Sequence, residues 1–294
     1  MDFTLYWFMF PVSIGVATCA MLSGIGGAAL FTPIFVLIFP LLGPEYELQT
    51  TVAAIGTALL TETFGFTSGF IGYLRKKTID FALAWRFLRV SVPIGIVGAF
   101  LAHFIPEGLL ILGYALLVAA LAYSLLYLHQ KTAARIKDAQ EHYHGAERIR
   151  IDHVGREYSY PDVHLGVRGS IYTGIGAFLT GMVSVGIGEV VISQLTRRGV
   201  PVAIAASTSV AIVIVTVAFA SFTLIGQLID EGGMSAVPWN LVCYSIPGVL
   251  IGGQIGPRLQ GKISQTTMEH AIGWLFVILA VAMSIVAVQK LGLV

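Results

Sequence analysis

"MLSGIGGAALFTP", residues 21–33, lies inside a stretch, residues 3–42, that contains no charged side chain. The stretch is apolar enough for lipid, yet it carries Gly24, Gly26, Gly27 and Pro33, residues that weaken a helix interior. One helix over residues 3–40 would be about 57 Å long, against a hydrocarbon core of about 30 Å. The chain is therefore expected to break at the glycines and turn back. In lipid an interrupted helix leaves N–H and C=O groups without partners, so a break persists only where protein or an aqueous cavity surrounds it. A second break of the same kind is read at "SVGIGEVVIS", residues 184–193.

The composition agrees with a membrane protein. Of 294 residues, 56% are hydrophobic and 11% charged, where soluble domains carry about 25% charge. The net charge of +1 says nothing about nucleic acid, and there is no basic patch interleaved with aromatics, so no nucleic-acid partner is expected. Cys19 and Cys243 read as small buried hydrophobes, with neither metal spacing nor a disulfide framework. The N-terminus begins with Asp2 and lacks a basic region, so it reads as part of the membrane domain, not as a signal peptide.

Apolar segments fall at 3–22, 27–40, 49–73, 81–104 and 108–128, then at 166–185, 188–196, 200–229, 238–257 and 268–290. All are expected to be helical, since barrel strands would be shorter and alternate. Between the groups, residues 129–168 hold 13 of the 33 formal charges and five of seven histidines, which marks an aqueous connector. The organisation is membrane repeat 1 over 1–128, a polar cytoplasmic linker over 129–165, and membrane repeat 2 over 166–294. A short amphipathic helix is expected at 131–143. His142, His144 and His153 lack ligand spacing and read as solvated, so no metal is assigned.

The halves resemble each other in order: "LSGIGGAAL" (22–30) and "VSVGIGEVV" (183–191), "AAIGTA" (53–58) and "AASTSV" (205–210), "SGFIGYL" (68–74) and "SFTLIGQL" (221–228), "PIGIVGAF" (93–100) and "PGVLIGGQ" (247–254). If each glycine break turns the chain back, every Lys and Arg except Lys290 falls on one side, the cytoplasmic one. If each first segment crosses once, Arg197, Arg198, Arg258 and Lys262 move outside. The expected fold is thus an all-α polytopic membrane protein. It has two inverted repeats of about five segments, each opening with a Gly-broken re-entrant hairpin.

Paired breaks in inverted halves point to a transporter's midplane site. New helices are expected from Ala28 and from Val190, and each N-terminus carries about half a positive charge with free N–H groups. Two converging ends suit an anion. The candidate substrate site comprises Gly24, Gly26, Gly27, Ala28, Gly186, Gly188 and Glu189, with hydroxyls from Thr57, Ser207, Thr208 and Ser209. Glu189 and Glu62 are carboxylates deep in apolar segments and are candidates for proton coupling, Glu189 first.

These glycine motifs, the "AAIGTA"/"AASTSV" pair and the two P-x₄-G segments resemble the sulfite exporter TauE/SafE family, also called the sulfonate uptake permease family. The resemblance covers both halves. It implies a multi-pass carrier in the bacterial cell inner membrane for sulfur oxyanions or organosulfonates such as sulfite or sulfoacetate. Expected partners are a small anion and the lipid bilayer; a homodimer is left open. No cofactor is expected, and no nucleotide-binding loop, H-E-x-x-H or G-x-S-x-G is present, which argues against an enzyme. The alternative is a cation-selective channel or cation-coupled importer using Glu62 and Glu189.

Overall fold

The computed structural model describes residues 2–23, 26–128, 148–259 and 265–292. Gly24, His142, His144 and the helix expected at 131–143 lie outside the described residues. Among the described residues, ten helices account for most of the structure. We label them α1 (Met9–Ser23), α2 (Ala28–Leu42), α3 (Thr51–Lys76), α4 (Phe81–Ala102), α5 (Glu107–Tyr123), α6 (Val167–Val183), α7 (Ile187–Thr196), α8 (Val202–Gly232), α9 (Trp239–Leu259) and α10 (Gln265–Lys290). Four of the helical stretches are long and apolar enough to cross a membrane: Phe81–Ala102, Glu107–Tyr127, Val202–Gly232 and His270–Lys290. Large apolar side chains such as Phe100, Leu116, Phe222, Trp274 and Ile278 are exposed along them. So much outward apolar surface suits lipid and not water.

Local chemistry starts and stops the helices. Thr50 caps α3 by accepting from the Ala53 N–H at 3.0 Å, and Asp80 caps α4 by accepting from the Leu83 N–H at 3.0 Å. Such caps satisfy donors the helix cannot. Pro33 has no N–H to give, and the hydrogen-bond ladder of α2 widens to a π-turn over Ile34–Ile38 just after it.

The packing pairs α1 with α9, α4 with α6, α5 with α10 and α3 with α8; α8 also packs on α4, and α3 on α9. Glycines set the closest approaches. Gly248 and Gly252 of α9 lie against the Phe10 and Ile14 carbonyls of α1, while Gly98 of α4 lies against the Phe178 carbonyl of α6 and Gly181 of α6 against the Gly95 carbonyl of α4. Small residues let helix backbones touch, which is the main packing device where lipid removes the hydrophobic drive.

Two features depart from the sequence reading. The linker is not wholly solvated polar chain: Arg148–Ile151 (β1) and Glu157–Tyr160 (β2) pair antiparallel, Arg148 opposite Tyr160. β1 turns Arg148 and Arg150 onto the α3–α4 turn, where both meet buried acceptors, and leaves Ile149 and Ile151 exposed. Cys19 and Cys243 are exposed on the outer surface, not buried, because α1 and α9 pack through their glycine-facing sides.

The ends of the bundle differ in charge. At one end Lys76 donates to the Pro257 carbonyl, the His153 N–H to the Lys76 carbonyl, and Arg198 to the His164 carbonyl. At the other, Lys290 pairs with Glu107 at 3.3 Å and His103 with Glu231 at 2.8 Å.

Candidate functional site

Both glycine clusters interrupt the helical backbone. α1 stops at Ser23 and α2 starts at Ala28. α6 stops at Val183; Ser184 takes φ 67° and Gly186 φ 137° before α7 starts. The second helix thus begins at Ile187, three residues before the expected Val190. Of the two glycines only Gly186 takes a positive φ, and Gly188 continues as helix. Glu189 therefore belongs to the first turn of α7.

The two breaks meet. The Gly26 N–H donates to Glu189 Oε1 at 3.4 Å, from one half of the chain to the other. Glu189 also faces the amides of Gly186 and of its own residue. Thr32, in the first turns of α2, shares a hydrogen bond of 2.7 Å with Ser184 at the second break. The Thr180 hydroxyl accepts from the Ile187 N–H at 2.7 Å, so that orphan donor of α7 is satisfied from α6.

Glu62 approaches the first break from α3. Its side chain is buried, and a Cβ added at Gly26 would stand 2.9 Å from its Oε1. The carboxylate faces the Gly27 and Ala28 amides, but neither oxygen has a hydrogen-bond partner of good geometry among the described residues. Thr57 and Thr61, on the same helix, are buried, and their hydroxyls have no partner among the described residues. Tyr114 of α5 donates to the Ala29 carbonyl and pins the start of α2.

The structure thus gathers Gly26, Gly27, Ala28, Glu62, Gly186 and Glu189 in one place. Ser209 reaches its margin by donating to the Gly188 carbonyl at 3.2 Å. Ser207 and Thr208 stand elsewhere: Ser207 donates to the Thr78 carbonyl and Thr208 accepts from the Asp80 N–H, so both fasten the α3–α4 turn to α8. Thr32, Thr61, Tyr114, Thr180 and Ser184 were not singled out in the sequence. A tyrosine within the apolar run "LILGYALLV" was the one visible signal, since a buried phenol needs a partner.

A cavity of 510 Å³ opens away from the breaks, at the acidic end. It is lined by Phe35, Leu48, Thr50, Glu107, Ile285 and Lys290, among others. Among the described residues no cluster of side chains could hold a metal ion.

Comparison with known proteins agrees with a membrane carrier. The chain is 22% identical over 265 residues to the probable membrane transporter protein YunE of Bacillus subtilis (strain 168), covering 89% of this chain and 91% of that one. No solved structure matches it significantly. A family model described as sulfite exporter TauE/SafE matches residues 9–283. With two broken helix pairs at its centre and a match along nearly its whole length, the chain belongs to the sulfite exporter TauE/SafE family, whose members are membrane transporters and not enzymes.

Proposed function

We propose that this chain is a secondary transporter of small anions, sulfur oxyanions or organosulfonates, in the bacterial inner membrane, with protons exchanged on Glu189 and Glu62. The observation that carries the reading is the bond from Gly26 to Glu189, which brings two helix starts and two carboxylates to one point. The helix starts favour a negative solute through free N–H groups and about half a positive charge each. The sulfur chemistry comes from the family. Glu189 is half-buried and is the carboxylate better placed to take a proton from water.

Two inverted repeats with re-entrant α1–α2 and α6–α7 hairpins are part of the proposal. Each hairpin's ends lie together. Arg198, after α7, donates at 2.9 Å to the carbonyl of His164, before α6. Tyr6, before α1, stacks at 5.1 Å on Phe39 near the end of α2. The helix pairings also keep their pattern when the halves are exchanged. In a cysteine-free background, cysteines introduced at Arg150 and Arg198 are expected to react with an impermeant thiol reagent from the cytoplasmic side alone. Labelling from opposite sides would remove the inverted arrangement.

A thermal-shift screen of purified protein against sulfite, sulfate, thiosulfate, sulfoacetate and taurine tests the substrate class. A true ligand at about 100 times its Kd adds about 2.7 kcal/mol of stability. The two carboxylates also favour a second reading, a cation-selective or cation-coupled pathway. A melting shift with Na⁺ or K⁺ and none with any of the anions would decide for it. Glu189→Gln is expected to bind the anion but to transport it with a flattened pH dependence in liposomes; an unchanged pH profile removes Glu189 from proton coupling.

A further inference from the structure

We propose that the Glu62 carboxylate is a tethered stand-in for the transported anion, seated where the substrate must sit, so that anion binding requires Glu62 to leave with a proton. This rests on the anion-transport reading. Three observations support it. The Glu62 side chain is 2% exposed and its two oxygens have no hydrogen-bond partner among the described residues, although a buried carboxylate ordinarily has one. Those oxygens lie against Gly26 and face the Gly27 and Ala28 amides, the donors a bound oxyanion would use. The rod that starts there, Ala28–Leu42, is long enough to have a developed dipole.

The surroundings make occupation exclusive. Among the described residues, the titratable groups bearing on this place are Glu189 from α7 and the Tyr114 phenol from α5. From α8 comes the Ser209 hydroxyl, which does not titrate in this range, and no charged group of α1 or α9 acts on Glu62. Two helix starts supply about one unit of positive charge. Two ionised carboxylates exceed that, and a third negative group would be repelled in a medium of low dielectric. With Glu62 protonated and withdrawn, its place at the amides is free for an anion. The balance is one proton taken up for one anion bound. Glu189, the less deeply buried of the two carboxylates, stands at the same place through its bond from Gly26.

The test is the pH dependence of equilibrium binding, with sulfate and thiosulfate as probes because both keep their charge through the neutral range. In wild type, affinity is expected to be level where Glu62 already holds its proton in the free protein and to fall about tenfold per pH unit above that, the mark of one linked proton. Glu62→Gln, which mimics the protonated side chain, should bind at least tenfold more tightly at the alkaline end and show no slope. Glu189→Gln should keep the slope in binding. At a pH on that slope, infrared difference spectra of wild type should gain a protonated-carboxyl C=O band when sulfate is added, absent in Glu62→Gln and present in Glu189→Gln. Wild-type binding without a slope, or without that band, overturns the tethered carboxylate while leaving anion transport standing, even if Glu62→Gln does not fold. Wild type that binds neither anion at any pH overturns both.

Discussion

Gly181→Ala is expected to melt several degrees below wild type and to lose its monodisperse peak in detergent, although it adds one methyl group. A Cβ at Gly181 would overlap the Gly95 carbonyl and stand 2.7 Å from the Ala99 amide nitrogen. Across the same interface a Cβ at Gly98 would overlap the Phe178 carbonyl. Backbone atoms cannot rotate away as a side chain can, so α4 and α6 would have to separate. Overpacking of this kind costs about 1–3 kcal/mol, and a rigid obstacle on both sides places it at the upper end. The strain would also reach function, because α6 carries Thr180 and Ser184 to the second break. Gly226 is the control: nothing stands within 4 Å of a Cβ there. Gly226→Ala should be neutral or stabilise by up to about 1 kcal/mol through helix propensity. Equal melting temperatures for the two variants would refute this account of the interface.

The second large effect is expected at Asp80. Its buried carboxylate caps α4, accepts two bonds from Arg148 at 2.8 and 3.0 Å, and accepts from the Tyr160 hydroxyl at 3.0 Å. Arg148 and Arg86 also both reach Asp162, at 2.7 and 2.8 Å. Asp80 therefore ties both strands of the hairpin to the start of α4, beside the Arg86–Asp162 pair. Asp80→Ala leaves a guanidinium without its main partner and removes the cap, a loss of about 3 kcal/mol. That corresponds to about a hundredfold in the opening equilibrium of the hairpin. Trypsin at neutral pH should then cut after Arg148, Arg150 and Arg156 in the variant while sparing wild type. If both are cut at the same rate, Asp80 does not hold the hairpin.

The pH dependence of this latch has a definite sign. Burial pushes the Asp80 carboxyl up, but the Leu83 N–H, Arg148 and Tyr160 outweigh it and hold it below the usual range. A carboxyl whose folded value is depressed stabilises in full above its unfolded value, about 3.9. The contribution is lost as pH falls below that and through the lower folded value. The hairpin should stay docked at neutral pH and detach only in acid.

Helix positions were legible in the sequence to within a few residues, except that α1 starts at Met9 and not at residue 3. Long apolar runs leave a backbone few alternatives to a helix, and Gly, Pro and Asp at their ends act locally. The expected break at the second glycine cluster was right in place and wrong in detail, because Ser184 rather than a glycine shares the left-handed turn with Gly186. The hairpin in the linker was missed. "RIRI" alternates, but its charged face is the buried one, and Asp80, Asp162 and the Ile79 carbonyl make that arrangement favourable.

What this sequence determined by itself is the list of rods, the two places where they break, and the carboxylates that lipid would not tolerate without a role. What only the tertiary structure decided is which of these meet. Ser207 and Thr208 stand two residues and one residue before Ser209, yet they serve the α3–α4 turn while Ser209 serves α7. Glu62 and Glu189 come together at Gly26 from opposite halves. Hydropathy acts along the chain and is readable locally. The meeting of distant side chains depends on the angle and closeness at which helices pack, and those are set by glycines such as Gly98, Gly181 and Gly252 on partners remote in sequence.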